Sequence, residues 1–142
     1  DLPKGRGWSP ASWLVLEGRS EIPMTLFEAA GKVDSGDIYA QEIIRLDGTE
    51  LLPEIRHKQG LMVKKLIKEF VSSYPNVRGR KQEGKATYYR KRTPADSELD
   101  INKTIEEQFN VLRVADNERY PAFFYRNGVR YILKIYKDDK VT

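Results

Sequence analysis

Residues 23–48, PMTLFEAAGKVDSGDIYAQEIIRLDG, are the stretch of sequence that most clearly determines the fold. Two β-rich runs, 23–27 and 38–46, flank a glycine-containing turn and predict two strands joined there. A long helix is predicted next, with Thr49 as its N-cap. Its apolar positions recur every three to four residues, on one helical face: Leu52, Ile55, Met62, Leu66 and Phe70. Strands and helices in this order predict part of an α/β layer structure.

A loop rich in glycine and proline, LPKGRGWSP, precedes this stretch. Ser9 is a suitable N-cap, Pro10 suits the first helical position, and Gly18 suits the position just beyond a helix. These three residues predict a short helix over 10–17.

The composition excludes several kinds of site. The 142 residues include no cysteine and one histidine, His57, so disulfides, thiolate zinc sites and paired-histidine metal sites are excluded. We therefore predict no metal site, and we expect His57 to be an exposed residue of the long helix. No apolar run approaches the roughly 20 residues that span a bilayer, so a membrane is not an expected partner.

The formal net charge of +4 is unevenly distributed. Between residues 78 and 92 there are seven basic residues and one acid, Glu83, so this window carries +6 and the rest of the chain −2. The window also holds two glycines and ends at Thr93-Pro94, which is typical of a boundary. We interpret 76–92 as a basic linker between segments 1–75 and 93–142. A basic segment of this kind could also attract a polyanion.

The second segment predicts a helix followed by a hairpin. Asn102 or Thr104 could cap a helix over about 102–115, with an apolar face formed by Ile101, Ile105, Phe109 and Leu112. Asn127-Gly128 lies between two β-rich runs and strongly predicts a two-residue hairpin turn. That turn would place three pairs opposite one another: Phe124 and Tyr131, Phe123 and Ile132, and Ala122 and Leu133.

Three places in the sequence could carry chemistry. The loop LPKGRG could bring its backbone close to an anion, with Lys4 and Arg6 adding positive charge. The VDSGD turn brings Asp34 and Asp37 to the junction of two strands, although both could be ordinary turn residues. The basic linker is the third place. The residues alone leave these alternatives open.

The same segments, taken in order, resemble the family of formyltransferases that use 10-formyltetrahydrofolate. The family motif H-x-S-L-L-P-x-x-R-G-x-x-P is matched by Leu2, Pro3, Arg6, Gly7 and Pro10. Its motif D-x-G-D-I is matched by Asp34, Gly36, Asp37 and Ile38, and RTPADSELD from Arg92 matches the start of its C-terminal region. The resemblance implies the C-terminal half of a Rossmann-like formyltransferase domain over 1–75. A small α+β subdomain of helix and hairpin would follow over 93–142.

The resemblance also implies a mechanism and assigns residues to it. In the family an amine attacks the formyl carbon of the folate, and an Asn and a protonated His stabilise the resulting oxyanion. An Asp keeps the His charged and helps to remove the proton of the amine. Asp34 matches that Asp, whereas the Asn and His have no counterpart here. We therefore expect the chain by itself to be an inactive C-terminal fragment.

The remaining site residues follow from the same resemblance. Gly31, Lys32 and Val33, together with Asp34, would border the folate, and Lys4, Arg6 and Gly7 would border the phosphates of the acceptor. The donor would be 10-formyltetrahydrofolate, and no metal is implied.

The resemblance implies an amino sugar nucleotide of glycan biosynthesis as the acceptor. In the family, sugar nucleotide N-formyltransferases often carry a shorter C-terminal tail than methionyl-tRNA formyltransferases, and here only about 50 residues follow the basic linker, in a chain that is slightly acidic outside it. The alternatives are methionyl-tRNA, which would use the basic linker, and a non-catalytic role as an interaction module. Folate and a sugar nucleotide are the expected partners rather than nucleic acid, and the expected location is the cytoplasm. Apolar residues on the second face of the hairpin, Phe123, Tyr125 and Ile132, predict contact with another subunit, as in a homodimer, or with the missing N-terminal half of the protein.

Overall fold

The computed structural model describes residues 2–138. Its helices and strands, in chain order, are β1 (Arg6–Gly7), α1 (Pro10–Leu16), β2 (Glu21–Phe27), β3 (Ile38–Arg45), α2 (Leu52–Ser73), β4 (Tyr88–Tyr89), α3 (Phe109–Arg113), β5 (Ala122–Arg126) and β6 (Val129–Leu133). Two 3₁₀ turns, Pro94–Ser97 and Glu106–Gln108, precede α3. The last four residues of the predicted segment 93–142 lie outside the described residues. The predicted division into three segments stays a prediction.

The strands β2 and β3 form an antiparallel pair, and α2 packs against them. Their turn residues 29–37 lie at one end of the pair, as the sequence predicted. The larger core cluster lies between the β2–β3 pair and the helices α1 and α2. Its buried residues are Ala11, Val15, Ile22, Ile44, Leu46, Ile55 and Val114. Val114 directly follows α3, so the second segment contributes to the core of the first.

The predicted apolar face of α2 is confirmed, but its predicted start is wrong. Leu52, Ile55 and Leu66 are buried, while His57 is exposed as expected. Thr49 does not cap the helix, because its hydroxyl and its N–H both donate to Asp47 in a local turn. The helix begins only at Leu52.

The helix predicted over 102–115 is also wrong in length. Thr104 and Glu107 form the predicted reciprocal capping contacts, yet they close only a 3₁₀ turn. Gln108 interrupts the helix, since its backbone has φ −121° and its side chain donates to two backbone carbonyls. Ile101 and Ile105 are consequently exposed. Leu112 is the buried member of the predicted face.

The hairpin has the predicted register. All three predicted residue pairs are opposite one another across the Asn127-Gly128 turn. Phe124 and Leu133 pack on the second core cluster around Leu112, as expected. On the other face Phe123 is buried, whereas Tyr125 and Ile132 are exposed. The apolar surface available to another subunit is therefore smaller than predicted.

The basic segment runs back along the first part of the chain. Arg80 exchanges two backbone hydrogen bonds with Ile38 at 2.8 and 2.9 Å. Farther along, β4 pairs with β1 in parallel, with Arg6 opposite Tyr88 and Gly7 opposite Tyr89. The segment thereby contacts both loops that the sequence singled out.

A buried ion pair joins the loop before α2 to α3. Glu50 and Arg113 are only 3% and 5% exposed. The Arg113 Nη2 donates to the Glu50 carboxylate at 3.3 Å, and its Nε donates to the Glu50 carbonyl at 3.0 Å. Burial alone would raise the pKa of Glu50. Hydrogen bonds from Lys58 and from two backbone N–H groups outweigh burial and lower that pKa to about 2, so Glu50 stays ionised at neutral pH.

Replacing Arg113 by Met should lower the free energy of unfolding by about 3 kcal/mol, because it removes one cationic partner of a buried carboxylate and leaves Glu50 with Lys58 and the N–H groups of Asp47 and Gly48. Urea unfolding monitored by circular dichroism measures this loss. The matched control is Arg126→Met at the exposed end of the hairpin, which should change the free energy by less than about 0.5 kcal/mol. Equal effects of the two substitutions would contradict a structural role for the pair.

Candidate functional site

The turn between β2 and β3 is held in a compact conformation by its backbone. Asp34 has a positive φ of 52°, which Asp tolerates better than most residues. Gly36 passes so close to β2 that a Cβ atom there would lie 1.8 Å from the Glu28 carbonyl oxygen. The Ser35 hydroxyl donates to the Lys32 carbonyl at 2.9 Å. This geometry fixes the direction in which the Asp34 side chain leaves the turn.

The carboxylate of Asp34 is bound to the other predicted loop. Its Oδ2 accepts the N–H of Gly7 at 2.8 Å. Gly7 has φ 100°, and a Cβ there would lie 2.6 Å from the Tyr89 carbonyl oxygen. Only glycine fits this position, since both the φ value and the close strand exclude a side chain. The structure thus brings together the two glycine-rich motifs of the sequence.

Gln82 of the basic segment holds the turn from the other side. Its Nε2 donates to the carbonyls of Asp34 and Gly36, both at 2.8 Å. Its Oε1 accepts a hydrogen bond from Arg6 Nη2 at 2.7 Å. One side-chain amide therefore connects the two motifs. Sequence reasoning missed Gln82, and no local signal distinguishes it.

A cavity of about 560 Å³ lies against this constellation. Lys4, Gly7 and Asp34 border it on one side, and Met24 and Phe27 of β2 border it on another. Such a mixture of apolar walls and a few polar groups is typical of small-molecule sites.

The other predicted site residues are placed differently. Gly31, Lys32 and Val33 are exposed on the turn, outside the lining of this cavity. The guanidinium of Arg6 contacts Gln82 and the Tyr88 hydroxyl. In the structure Arg6 therefore supports the turn, whereas Lys4 and Gly7 line the cavity.

Tyr89 borders the same cavity and is hydrogen-bonded there. Burial and the hydrogen bond from its hydroxyl to the Glu17 carboxylate raise the pKa of Tyr89 to about 12. Tyr89 therefore remains a protonated hydrogen-bond donor at neutral pH. Its ring stacks with Trp13 at a centroid distance of 6.0 Å.

The site places the carboxylate of Asp34 at the edge of a cavity of small-molecule size. Within residues 2–138 no three His, Cys, Asp or Glu side chains are grouped so that they could hold a metal ion. The same part of the chain contains no helix whose length and apolar character would allow it to cross a membrane. The chemistry that this arrangement supports is proton transfer or the orientation of a cationic group by Asp34.

Solved structures with the same fold cover almost the whole chain, although no family model matches the sequence. A methionyl-tRNA formyltransferase from Clostridium thermocellum superposes with a TM-score of 0.79 and 27% identity, over 100% of this chain and 62% of that one. A sugar N-formyltransferase from a Shewanella species superposes with a TM-score of 0.73 and 18% identity, over 97% of this chain and 58% of that one. An N-formyltransferase from Helicobacter canadensis was solved with folinic acid and dTDP-3-aminofucose. It superposes with a TM-score of 0.72 and 21% identity, over 89% of this chain and 48% of that one.

The fold of this chain is that of the formyltransferases, and these structures confirm the resemblance to that family. Sugar N-formyltransferases are among the proteins that share the fold. The chain spans about three fifths of the length of the clostridial methionyl-tRNA formyltransferase.

Replacing Gly36 by Ala should destabilise the fold by about 3 kcal/mol or more, because the new Cβ would overlap the Glu28 carbonyl oxygen. Gly31→Ala is the matched control in the same turn, since a Cβ there meets no atom within 4 Å. Thermal unfolding of both variants measures the difference. Equal melting temperatures would show that the turn is not constrained at Gly36.

Proposed function

We propose that the full protein transfers a formyl group from 10-formyltetrahydrofolate to the amine of an amino sugar nucleotide. The observation that carries this proposal is the position of the Asp34 carboxylate. It borders the cavity and is fixed there by the Gly7 N–H, while Gln82 holds its backbone. A carboxylate held in this way loses little freedom when it orients a partner group.

Asp34 would keep a neighbouring imidazolium charged and oriented, and would help to remove the proton of the attacking amine. The Asn and His of the family mechanism have no counterpart in this chain. We infer that they belong to the full protein and that the 142-residue chain alone has no formyltransferase activity.

The exposed part of the turn fits the edge of a folate site. Gly31 has open space around its Cα, and Val33 offers an exposed apolar side chain beside Asp34. An exposed apolar side chain beside an open stretch of backbone suits a flat ring with hydrogen-bonding edges. The folate would supply the formyl group, and residues 31–33 would position it. The Helicobacter enzyme with bound folinic acid supports a folate-type donor, and the position of residues 31–33 beside it is part of our proposal.

The acceptor would approach from the side of Lys4 and Gly7. The exposed ammonium group of Lys4 can bind a phosphate, and Arg6 would act through Gln82 rather than by direct contact. A nucleoside diphosphate linked to an amino sugar carries both the charge and the amine that this cavity requires. The dTDP-3-aminofucose in the Helicobacter complex is such a compound. Association of two chains through the hairpin stays a prediction.

Methionyl-tRNA is the second candidate acceptor. Two observations favour it: the +6 charge of residues 78–92, and 27% identity to the clostridial methionyl-tRNA formyltransferase. The charged segment would contact tRNA phosphates through several Lys and Arg side chains.

Asp34→Asn in the full protein should lower formyl transfer by about 100-fold or more, because the amide cannot accept the proton. The fold should be unaffected, since Asn tolerates the positive φ and can still accept the Gly7 N–H. The control is Asp37→Asn in the same motif, which should change the rate little. A transfer assay by mass spectrometry measures both variants. Normal activity of Asp34→Asn would refute the assignment.

The salt dependence of acceptor binding distinguishes the two acceptors. A sugar nucleotide offers two phosphates and should give a shallow slope of log affinity against log salt. Binding of tRNA should give a steep slope, because each neutralised phosphate releases counterions. Titration of the full protein with each acceptor, at several salt concentrations, decides between them. Specific binding of tRNA together with a steep slope would overturn the sugar proposal.

A further inference from the structure

A second cleft lies on the opposite side of the loop that borders the first cavity. Gly7 lines the cavity beside Asp34, whereas the next two residues, Trp8 and Ser9, line a separate cleft of about 330 Å³. Its other walls come from α2, from residues 91–93 and from the segment after α3. This volume is within the range of ligand sites in proteins.

The lining of the cleft is strongly basic. It includes four cations, Arg56, Lys91, Arg92 and Arg119, and a single carboxylate, that of Asp116. The carboxylate is already bound, since Oδ2 accepts from Arg56 at 3.1 Å and Oδ1 accepts the backbone N–H groups of Glu118 and Arg119. Three positive charges are therefore left without a lining carboxylate.

None of those three cations forms an ion pair within residues 2–138. Arg92 is partly buried, and its Nη1 and Nη2 donate to the carbonyls of Val114 and Asp96, whereas its Nε has no hydrogen-bond partner among the described residues. Burial lowers the pKa of Arg92. The side chains of Lys91 and Arg119 form no ion pair within residues 2–138. Cations grouped without counterions are typical of sites for phosphate-bearing ligands.

An exposed aromatic ring stands at the rim of the cleft. Trp8 is 58% exposed, although the Lys91 ammonium lies 5.2 Å from its ring centre. A large exposed ring is costly to leave in water, and it is a favourable surface for stacking a nucleobase. Tyr120 provides a second exposed ring in the lining.

We propose that this cleft binds a nucleoside diphosphate, with its phosphates on Lys91, Arg92 and Arg119 and its base on Trp8. The combination of several cations, hydroxyl groups from Ser9 and Ser12 and an exposed indole matches that class of compound. The ligand is a nucleotide separate from the acceptor, because the acceptor phosphates are assigned to Lys4 and the linings of the cavity and the cleft have no described residue in common. Binding can be measured without turnover, so the proposal stands or fails independently of the formyl transfer.

Isothermal titration of the full protein with dTDP and with inorganic pyrophosphate tests the site. We expect dTDP to bind more tightly than pyrophosphate. The double variant Lys91→Gln, Arg119→Gln should weaken dTDP by about tenfold or more through loss of charge-assisted contacts. The matched control is Lys85→Gln, Arg126→Gln, which removes two exposed cations outside the cleft and should leave binding unchanged.

Trp8→Leu tests the aromatic part of the proposal. It should raise the Kd for dTDP by about fivefold or more through loss of stacking, and leave the Kd for pyrophosphate unchanged. The proposal is overturned if dTDP does not bind, if the two double variants behave alike, or if pyrophosphate binds as tightly as dTDP.

The source of the ligand follows from the kinetics of the same variants. We expect the double variant to weaken dTDP binding while the KM for the sugar nucleotide stays unchanged, because the ligand is separate from the acceptor. If the KM rises in parallel with the Kd for dTDP, the acceptor itself occupies the cleft and the proposal is overturned.

Discussion

The buried pair between Glu50 and Arg113 is the constraint on which the arrangement of the chain depends. It connects two segments that are far apart in sequence, and both partners are almost completely removed from water. Removing one member would leave the other buried charge without its closest buried partner. The pair therefore fixes α3 against the start of α2, which places Val114 in the core and Arg92 beside it. The second cleft exists only because these elements meet.

The candidate active site depends on the backbone more than on side-chain packing. Asp34 is the only chemically active side chain in the predicted catalytic set, and three features around it act through main-chain groups. The Gly7 N–H binds its carboxylate, Gln82 binds its carbonyl, and Gly36 permits the turn to approach β2. Glycines at these positions give precise placement because they allow distances that no other residue can reach.

Local features of the sequence predicted local structure well. The hairpin register was predictable because an Asn-Gly turn fixes both neighbouring strands over a few residues. The helix over 102–115 was not, since the side chain of Gln108 competes for backbone carbonyls and interrupts it. Likewise, the contact of Gly7 with Asp34 was not predicted, because the family resemblance assigned the two residues to different ligands of the site. The contact of Gln82 with Asp34 spans 48 positions, and neither periodicity nor composition can indicate such a contact.

The sheets of this chain have a consequence for its behaviour in solution. Each sheet contains two strands, so within residues 2–138 every strand is an edge strand. The outer side of each strand presents backbone N–H and C=O groups. Some of these groups are paired at isolated bridges, such as those between Ile38 and Arg80 and between Glu98 and Phe123. Unpaired edges of this kind are templates for further strands. A further strand, from this chain or from another, can pair with such an edge, and edges that stay unpaired favour aggregation.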